Sequence, residues 1–261
     1  MELVSTVAEK GVVEDRFDLH VGDEVVPGIR WRPEAAAGAP TSTILVGHGG
    51  TQHKRAPNVL GLARRFVRHL GVTVVALDAP DHGERIRDEA AAEGARSRLQ
   101  ARIAAGKGTM ELSREEASAW AARTRNGVAE WKALVDALEA GGGHDGRLGY
   151  WGLSMGTAIG LPFVAAEPRV QAAVLGLAGA GIRPGDTDFA SSARSLTVPV
   201  LFLFQWDDEL MSRESGLALF DAIGSAEKTM HINPGGHVAV PLFERDAAEA
   251  FFRRHLLSAS A

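Results

Sequence analysis

Short apolar runs alternate with longer segments of helical periodicity along most of the chain. Six runs of five to eight residues have the length of strands, and five of them consist mainly of apolar residues. Such runs are typical of strands buried on both faces of a parallel sheet, and their alternation with helices indicates repeated βαβ units. The runs are Ser42–Val46, Val72–Leu77, Arg147–Leu153, Val170–Leu177, Val198–Phe204 and Glu227–Ile232.

Two further runs precede these six and differ from them in spacing. Arg16–Val21 and Val25–Trp31 are separated only by Gly22-Asp23, a dipeptide that favours a tight turn between antiparallel strands. We therefore expect a hairpin at one edge of the sheet. Together the runs predict an α/β fold with about eight strands in a mostly parallel sheet.

Helical spacing and end signals place the segments between the strands. Pro57–Leu70 carries apolar residues at helical intervals. Ser113 with Glu116 three residues later is a capping box, which predicts a long helix ending near Ala140 at three glycines. Asp246–Leu257 is amphipathic and predicts a terminal helix. These segments would cover both faces of the sheet.

The stretch near residues 85–110 is rich in Ala, Arg and Glu and lies between the second parallel strand and the long helix. We interpret it as a short helical excursion that forms a small lid.

Composition and charge narrow the classes of function. The 261 residues carry a formal net charge of −5 without a dense run of Lys and Arg, which argues against nucleic acid or a membrane as partner. The absence of cysteine excludes disulfides, thiolate zinc sites and a cysteine nucleophile. The first residues lack the features of a secretory signal, and no apolar run is long enough to span a bilayer. We expect a cytoplasmic protein.

The pentad Gly152–Gly156 (GLSMG) carries the clearest chemical signal. It fits the G-x-S-x-G pattern, which places a serine on a sharp turn from a strand into a helix. A predicted strand precedes it and the apolar, helix-like run Thr157–Ala166 follows. Ser154 is therefore the candidate nucleophile.

A serine hydroxyl is a poor nucleophile unless a base, itself held by an acid, lies beside it. His237 follows the last predicted strand after Pro-Gly-Gly, a turn that can direct the imidazole back over the sheet, whereas His231 lies within the strand pattern. For the acid, Asp207 and Asp208 follow a buried strand. Asp186 and Asp188, after the preceding strand, are further alternatives.

Five motifs occur in a characteristic order along the chain. They are HGG at His48–Gly50, DAPDHGER at Asp78–Arg85, GLSMG, VPVLFLFQWDDELM and NPGGH at Asn233–His237. In this order the chain resembles serine hydrolases of the α/β-hydrolase superfamily from Arg16 to Leu257, most closely the compact dienelactone-hydrolase-like and prolyl-oligopeptidase-like esterases. Dienelactone hydrolases proper use a cysteine, which this chain lacks, so their substrate is not implied.

The resemblance implies a single α/β-hydrolase domain over residues 1–261 and a triad in the order Ser154, Asp208, His237. Asp207 remains the adjacent alternative for the acid, which orients the imidazole and stabilises the imidazolium. The N–H of Met155 is the first implied oxyanion donor. The second comes from the loop after the first parallel strand, where the family pattern favours Gly50, with Thr51 close behind.

Substrate contacts are predicted from position alone. Thr51 adjoins the oxyanion loop, and Trp206 and Met211 follow the strand of the acid. These two could form an apolar acyl pocket or could be core residues, and the same holds for Met155, Ile182 and Phe189. We expect His48 to be a structural brace. The Gln52–Arg55 segment would be either a solvated loop or a positive surface for an anionic substrate.

The sequence thus predicts a serine hydrolase that cleaves small carboxylic esters through an acyl-enzyme, with no cofactor, metal or nucleotide. A thioesterase, amidase, peptidase, acyltransferase or C–C hydrolase would use the same three residues. A non-catalytic ligand-binding module would keep the fold without the turnover. The expected partner is a small acyl substrate, and the sequence leaves open whether the chain forms a homodimer.

Overall fold

A twisted sheet of nine strands runs through the computed structural model, which describes residues 1–36, 39–106, 113–180 and 187–258. The strands are β1 (Glu2–Glu9), β2 (Val12–Val21), β3 (Glu24–Pro33), β4 (Thr41–Gly47), β5 (Thr73–Leu77), β6 (His144–Gly152), β7 (Val170–Gly176), β8 (Val200–Gln205) and β9 (Lys228–Asn233). Their order in the sheet is β1-β2-β3-β5-β4-β6-β7-β8-β9. The pairs β1–β2, β2–β3 and β3–β5 are antiparallel. The remaining pairs, from β5–β4 to β8–β9, are parallel.

The predicted α/β sheet is confirmed, but the expected strand count of about eight omits β1. Every residue of β1 is exposed, so no buried face imposes an alternating pattern on its sequence. It is held by its antiparallel ladder to β2, with Glu9 opposite Val12 across the two-residue turn Lys10-Gly11. Both turn residues have positive φ, of 50° and 78°, which matches a tight hairpin turn.

Seven α-helices in the described ranges connect the strands. They are α1 (Pro57–Leu70), α2 (Glu89–Ala105), α3 (Arg114–Ala140), α4 (Met155–Ala166), α5 (Thr187–Ser195), α6 (Arg213–Ala222) and α7 (Glu244–Phe252). The predicted limits of α1 and α3 are confirmed, and both hydrogen bonds of the capping box form at Ser113 and Glu116. The predicted terminal helix begins two residues early, and a π-helical turn at Arg253–Leu257 follows it. Each described helix is too short or too polar to cross a membrane.

The core has one layer on each face of the sheet. Helices α1 and α7 cover one face, where Phe66 and Phe252 meet edge to face with ring centroids 5.6 Å apart. On the other face, Trp131 of α3 and Phe163 of α4 pack against Tyr150 of β6, at centroid distances of 5.9 and 5.7 Å. Aromatic pairs of this kind contribute about 1 kcal/mol each beyond the area they bury. They anchor the centre of the sheet, where β6 ends.

Helix α2 occupies most of the predicted excursion of residues 85–110, and residues 107–110 at its end lie outside the described residues. The side chain of Asp88 caps the helix by accepting a hydrogen bond from the Ala91 N–H at 3.0 Å. None of its side chains is buried, although Leu99 and Ile103, one turn apart, are partly covered. Helix α2 therefore rests on the rest of the molecule by a narrow contact.

Candidate active site

Ser154 lies on the sharp turn between β6 and α4. Its backbone has φ 56° and ψ −115°, a conformation that costs a non-glycine residue about 1–3 kcal/mol. The turn also needs Gly156, because a Cβ there would lie 2.6 Å from the carbonyl oxygen of Gly47 in β4. The G-x-S-x-G pattern therefore corresponds to a strained turn packed directly against the neighbouring strand.

Buried hydroxyl groups hold this turn in place. Tyr150 donates a hydrogen bond of 2.7 Å from its phenol to the carbonyl of Gly156. The hydroxyl of Thr157 accepts from the N–H of Gly176 at 2.7 Å and lies 2.6 Å from the same residue's carbonyl oxygen. That carbonyl also accepts the N–H of Ser154 at 2.9 Å. Strands β6 and β7 thus fix the serine from both sides.

The structure brings Ser154, His237 and Asp208 together. The Nε2 of His237 lies 2.9 Å from the Ser154 Oγ, and its Nδ1 lies 2.8 Å from the Asp208 Oδ2. The Asp208 side chain is fully buried, and its second oxygen accepts the N–H groups of Leu210 and Met211 at 2.8 and 3.0 Å. A carboxylate on Nδ1–H leaves Nε2 free to accept the serine proton.

Asp207, the adjacent alternative for the acid, has other partners. Asp207 accepts the N–H of Gly235 at 3.0 Å, and its other oxygen lies 3.2 Å from the guanidinium of Arg213. Asp186 and the side chain of Asp188 lie outside the described residues. Of the two candidate aspartates that follow β8, Asp208 is therefore the one that reaches the imidazole.

The alternative base has a different partner. The Nδ1 of His231 lies 2.9 Å from a carboxylate oxygen of Glu244, whose other oxygen accepts the Asn233 amide at 2.8 Å. This pairing joins β9 to the start of α7, so His231 supports the fold behind the loop that carries His237.

Sequence reasoning missed the part played by Glu209. Its carboxylate accepts the backbone N–H of His237 at 2.7 Å, and a Cβ on Gly236 would lie 2.1 Å from its other oxygen. The signal was present as the third acid of the Asp-Asp-Glu run. Each acid of that run holds a different part of the loop from Gly235 to His237.

The implied oxyanion donors lie at the start of α4 and in the turn after β4. Met155 is the first residue of α4, where a backbone N–H has no acceptor within the helix. Gly50 lies in the turn after β4, and no atom comes within 4 Å of the position of a Cβ there. Thr51 follows with φ 61°, exposed at the surface.

His48 braces this loop from inside. Its Nδ1–H donates to the Gly49 carbonyl at 2.8 Å, and its Nε2 accepts the Ala79 N–H at 3.0 Å. Burial lowers the pKa of His48 from 6.5 to about 4, so the ring is neutral near pH 7. The hydrogen bonds match the expected structural role.

Lys54 is directed into the protein. Its ammonium group lies 2.5 Å from carboxylate oxygens of both Asp78 and Glu84, and only 2% of its side chain is exposed. Arg55, the next residue, pairs with Glu14. These cations are therefore engaged within the protein and are not presented to a substrate.

A cavity of about 530 Å³ adjoins Ser154 and His237. Its walls are largely apolar, and α2 supplies two of the side chains. The apolar lining residues are Pro57, Leu62, Leu99, Ile103, Trp151, Leu153, Leu177, Leu203, Val238, Val240, Pro241 and Leu242. Gly50 and Thr51 also line it, so the predicted contact at Thr51 lies at the cavity.

Trp206 and Met211, also predicted as substrate contacts, do not line this cavity. The Trp206 indole is 41% exposed and stacks under the guanidinium of Arg213 at 4.3 Å. Met211 is buried in the core, as are Met155 and Phe189. Ile182 lies outside the described residues. Residues next to Asp208 in sequence thus point away from the serine, toward solvent or the core.

No protein-family model matches the sequence, and no curated protein matches it. Among solved structures, a cold-adapted esterase from an Arctic intertidal metagenomic library has a TM-score of 0.79 and 34% sequence identity, covering 98% of this chain and 100% of that chain.

More distant structures share the fold alone. A dienelactone hydrolase from Anabaena variabilis has a TM-score of 0.63 at 18% identity, covering 95% of this chain and 100% of that chain. An esterase from Pyrococcus furiosus has a TM-score of 0.64 at 15% identity, covering 93% and 92%. With the full-length match to the Arctic esterase, these findings establish that the chain belongs to the α/β-hydrolase superfamily, as a relative of its esterases.

Proposed function

We propose that the protein is a serine hydrolase that cleaves small carboxylic esters, with Ser154, His237 and Asp208 as its catalytic triad. The observation that carries the proposal is the continuous hydrogen-bonded chain of 2.9 and 2.8 Å from the serine Oγ through the imidazole to the carboxylate. The choice of esters rests on the full-length similarity to an esterase.

In the first half of the reaction, His237 Nε2 takes the hydroxyl proton of Ser154 while Oγ forms a bond to the ester carbonyl carbon. Asp208 stabilises the resulting imidazolium without itself taking the proton. The tetrahedral intermediate then collapses, its carbon–oxygen bond to the alcohol breaks, and His237 gives the proton to the leaving alkoxide. The products of this half are the free alcohol and an acyl-enzyme.

In the second half, His237 takes a proton from a water molecule whose oxygen attacks the acyl carbon. Collapse of this intermediate breaks the bond to Ser154 Oγ and returns the proton to it, which releases the carboxylic acid. In both halves His237 carries the proton, and water is the second substrate.

Two backbone N–H groups, of Met155 and Gly50, would bind the developing oxyanion. Such a donor contributes roughly 3–4 kcal/mol to transition-state stabilisation. The packing of Gly156 against β4 supports this assignment, because it holds the Ser154 turn against the strand from which the Gly50 loop emerges.

A covalent probe tests the nucleophile directly. Intact mass would be measured after treatment of wild type, Ser154→Ala and Ser195→Ala with a fluorophosphonate. Ser195 ends α5 and serves as the matched control for loss of a serine hydroxyl. We expect one adduct on wild type and on Ser195→Ala, and none on Ser154→Ala.

Turnover of 4-nitrophenyl acetate and butyrate by the same three proteins completes the test. An adduct on Ser154→Ala would contradict the assignment of the nucleophile. Labelling of Ser154 without turnover of esters or thioesters would replace the hydrolase proposal with a ligand-binding module that retains a reactive serine.

A further inference from the structure

The catalytic cavity contains a cation that the proposed reaction does not use. Among the residues that the structure describes, the Asp, Glu, Lys and Arg residues that line it are Glu244 and Arg245, at the start of α7. The Glu244 carboxylate is buried and accepts hydrogen bonds from His231 and Asn233, so it is directed toward β9. Of the two, Arg245 is therefore the side chain available to a ligand in the described part of the cavity.

The side chain of Arg245 differs from its neighbours in having no partner among the described residues. Within the described ranges, its guanidinium makes no ion pair and no side-chain hydrogen bond. Nearby, Arg65 pairs with Asp246 and Glu249, on the same helix as Arg245. The carboxylates of α7 that could have neutralised Arg245 thus serve other cations.

The position of the guanidinium is set by α1. The Nη1 of Arg245 lies 3.4 Å from the position a Cβ of Gly61 would occupy. Asn58 and Leu62, on either side of Gly61 in the sequence, both line the cavity. A partly covered guanidinium beside apolar walls is poorly solvated, and a carboxylate can restore its hydrogen bonds in a bidentate pair.

We propose that Arg245 binds a carboxylate of the substrate, and that the preferred substrates are esters with an anionic group at the end remote from the scissile bond. This rests on the proposed esterase function. A sphere with the cavity's volume is about 10 Å across, which suits a spacer of a few carbons between the two groups. Apolar walls, including Leu99 and Ile103, would contact that spacer.

Pairs of substrates with the same shape and different charge test the proposal. On the acyl side, 4-nitrophenyl hydrogen glutarate is compared with 4-nitrophenyl 5-methylhexanoate, in which an isopropyl group replaces the carboxylate. On the alcohol side, 4-acetoxybenzoate is compared with 4-isopropylphenyl acetate. The measured quantity is the ratio of kcat/KM for the charged ester to that for its neutral counterpart.

We expect Arg245→Gln to lower this ratio by about tenfold or more in at least one pair, because the substitution removes a charge-assisted hydrogen bond to the substrate. The loss should come chiefly from a higher KM for the charged ester. Arg245→Lys should retain part of the preference. Arg254→Gln is the control for net charge, because its side chain is 76% exposed and lies outside the cavity. It should leave both ratios as in wild type.

Binding measurements separate this proposal from the esterase function. Calorimetric titration of glutarate into Ser154→Ala, with and without Arg245→Gln, needs no turnover, and we expect the affinity to fall by about tenfold with the second substitution. Unchanged ratios in both substrate pairs, or glutarate affinity unaffected by Arg245→Gln, would overturn the role of Arg245 even if esters are hydrolysed. Absence of ester turnover with Arg245-dependent glutarate binding would instead remove the esterase function and keep the anion site.

Discussion

Acid should destabilise the protein through His48, because the fold holds this imidazole neutral. The ring is 2% exposed, and protonation of Nε2 would remove the acceptor of the Ala79 N–H. Burial lowers the pKa of His48 to about 4, against 6.5 in an exposed setting. The unfolded chain therefore binds a proton here at a higher pH than the folded chain does.

The sign and size of the effect follow from that difference. A folded-state pKa below the unfolded value stabilises the folded state above pH 6.5, and this stabilisation is lost as the pH falls toward 4. A difference of one unit between the folded and unfolded pKa corresponds to about 1.4 kcal/mol, so the full contribution of His48 to the free energy of unfolding is about 3 kcal/mol. Between pH 7 and pH 5, we expect His48 to account for a loss of about 2 kcal/mol in the free energy of unfolding.

Urea unfolding of wild type and His48→Asn at pH 7, 6 and 5 would measure this contribution. The variant should be less stable at pH 7, because it loses packing and hydrogen bonds. Its stability should nevertheless fall by about 2 kcal/mol less than that of wild type between pH 7 and pH 5. His20→Asn is the control for removal of one imidazole, since His20 lies on the exposed side of the hairpin. Parallel curves for wild type and His48→Asn would refute the reasoning.

Two further predictions concern the cavity and the loop of His237. Glu209→Ala removes the acceptor of the His237 N–H, so kcat for a simple ester should fall by about tenfold to a hundredfold. Glu209→Gln, which keeps an acceptor, should recover part of this loss. An unchanged Tm in both variants would show that the loss does not come from unfolding. Ile103→Trp fills part of the cavity, so the ratio of kcat/KM for 4-nitrophenyl hexanoate to that for 4-nitrophenyl acetate should fall by about tenfold. The control Gln100→Trp, at an exposed position of the same helix, should keep the wild-type ratio. An unchanged ratio in Ile103→Trp would place the acyl chain elsewhere.

The parts of the fold that could be predicted are those whose sequence carries a strong local constraint. Strands buried on both faces are apolar along most of their length, which is why the sequence predicts the limits of β4 through β8 to within a few residues. Helix α3 begins at a capping box, a local hydrogen-bond pattern that leaves its mark at Ser113 and Glu116. β1 has neither constraint, since its residues face solvent and only its backbone is paired.

The same distinction applies to the site. Ser154, Asp208 and His237 each follow the carboxyl end of a strand, and parallel strands bring those ends to one edge of the sheet. The cavity walls depend instead on how separate segments pack. Ile103 and Arg245 come from helices far apart in sequence, whereas Trp206, two residues from Asp208, points into solvent.

Helix α2 shapes the cavity beside Ser154 while contributing little to the core of the fold. It supplies Leu99 and Ile103 to the cavity but buries none of its own side chains. Substitutions of surface residues usually change stability by less than about 0.5 kcal/mol, so this helix can vary while the strained turn at Ser154 stays in place. Under the proposed function, substrate specificity could therefore change through α2 while the sheet and the Ser154 turn are retained.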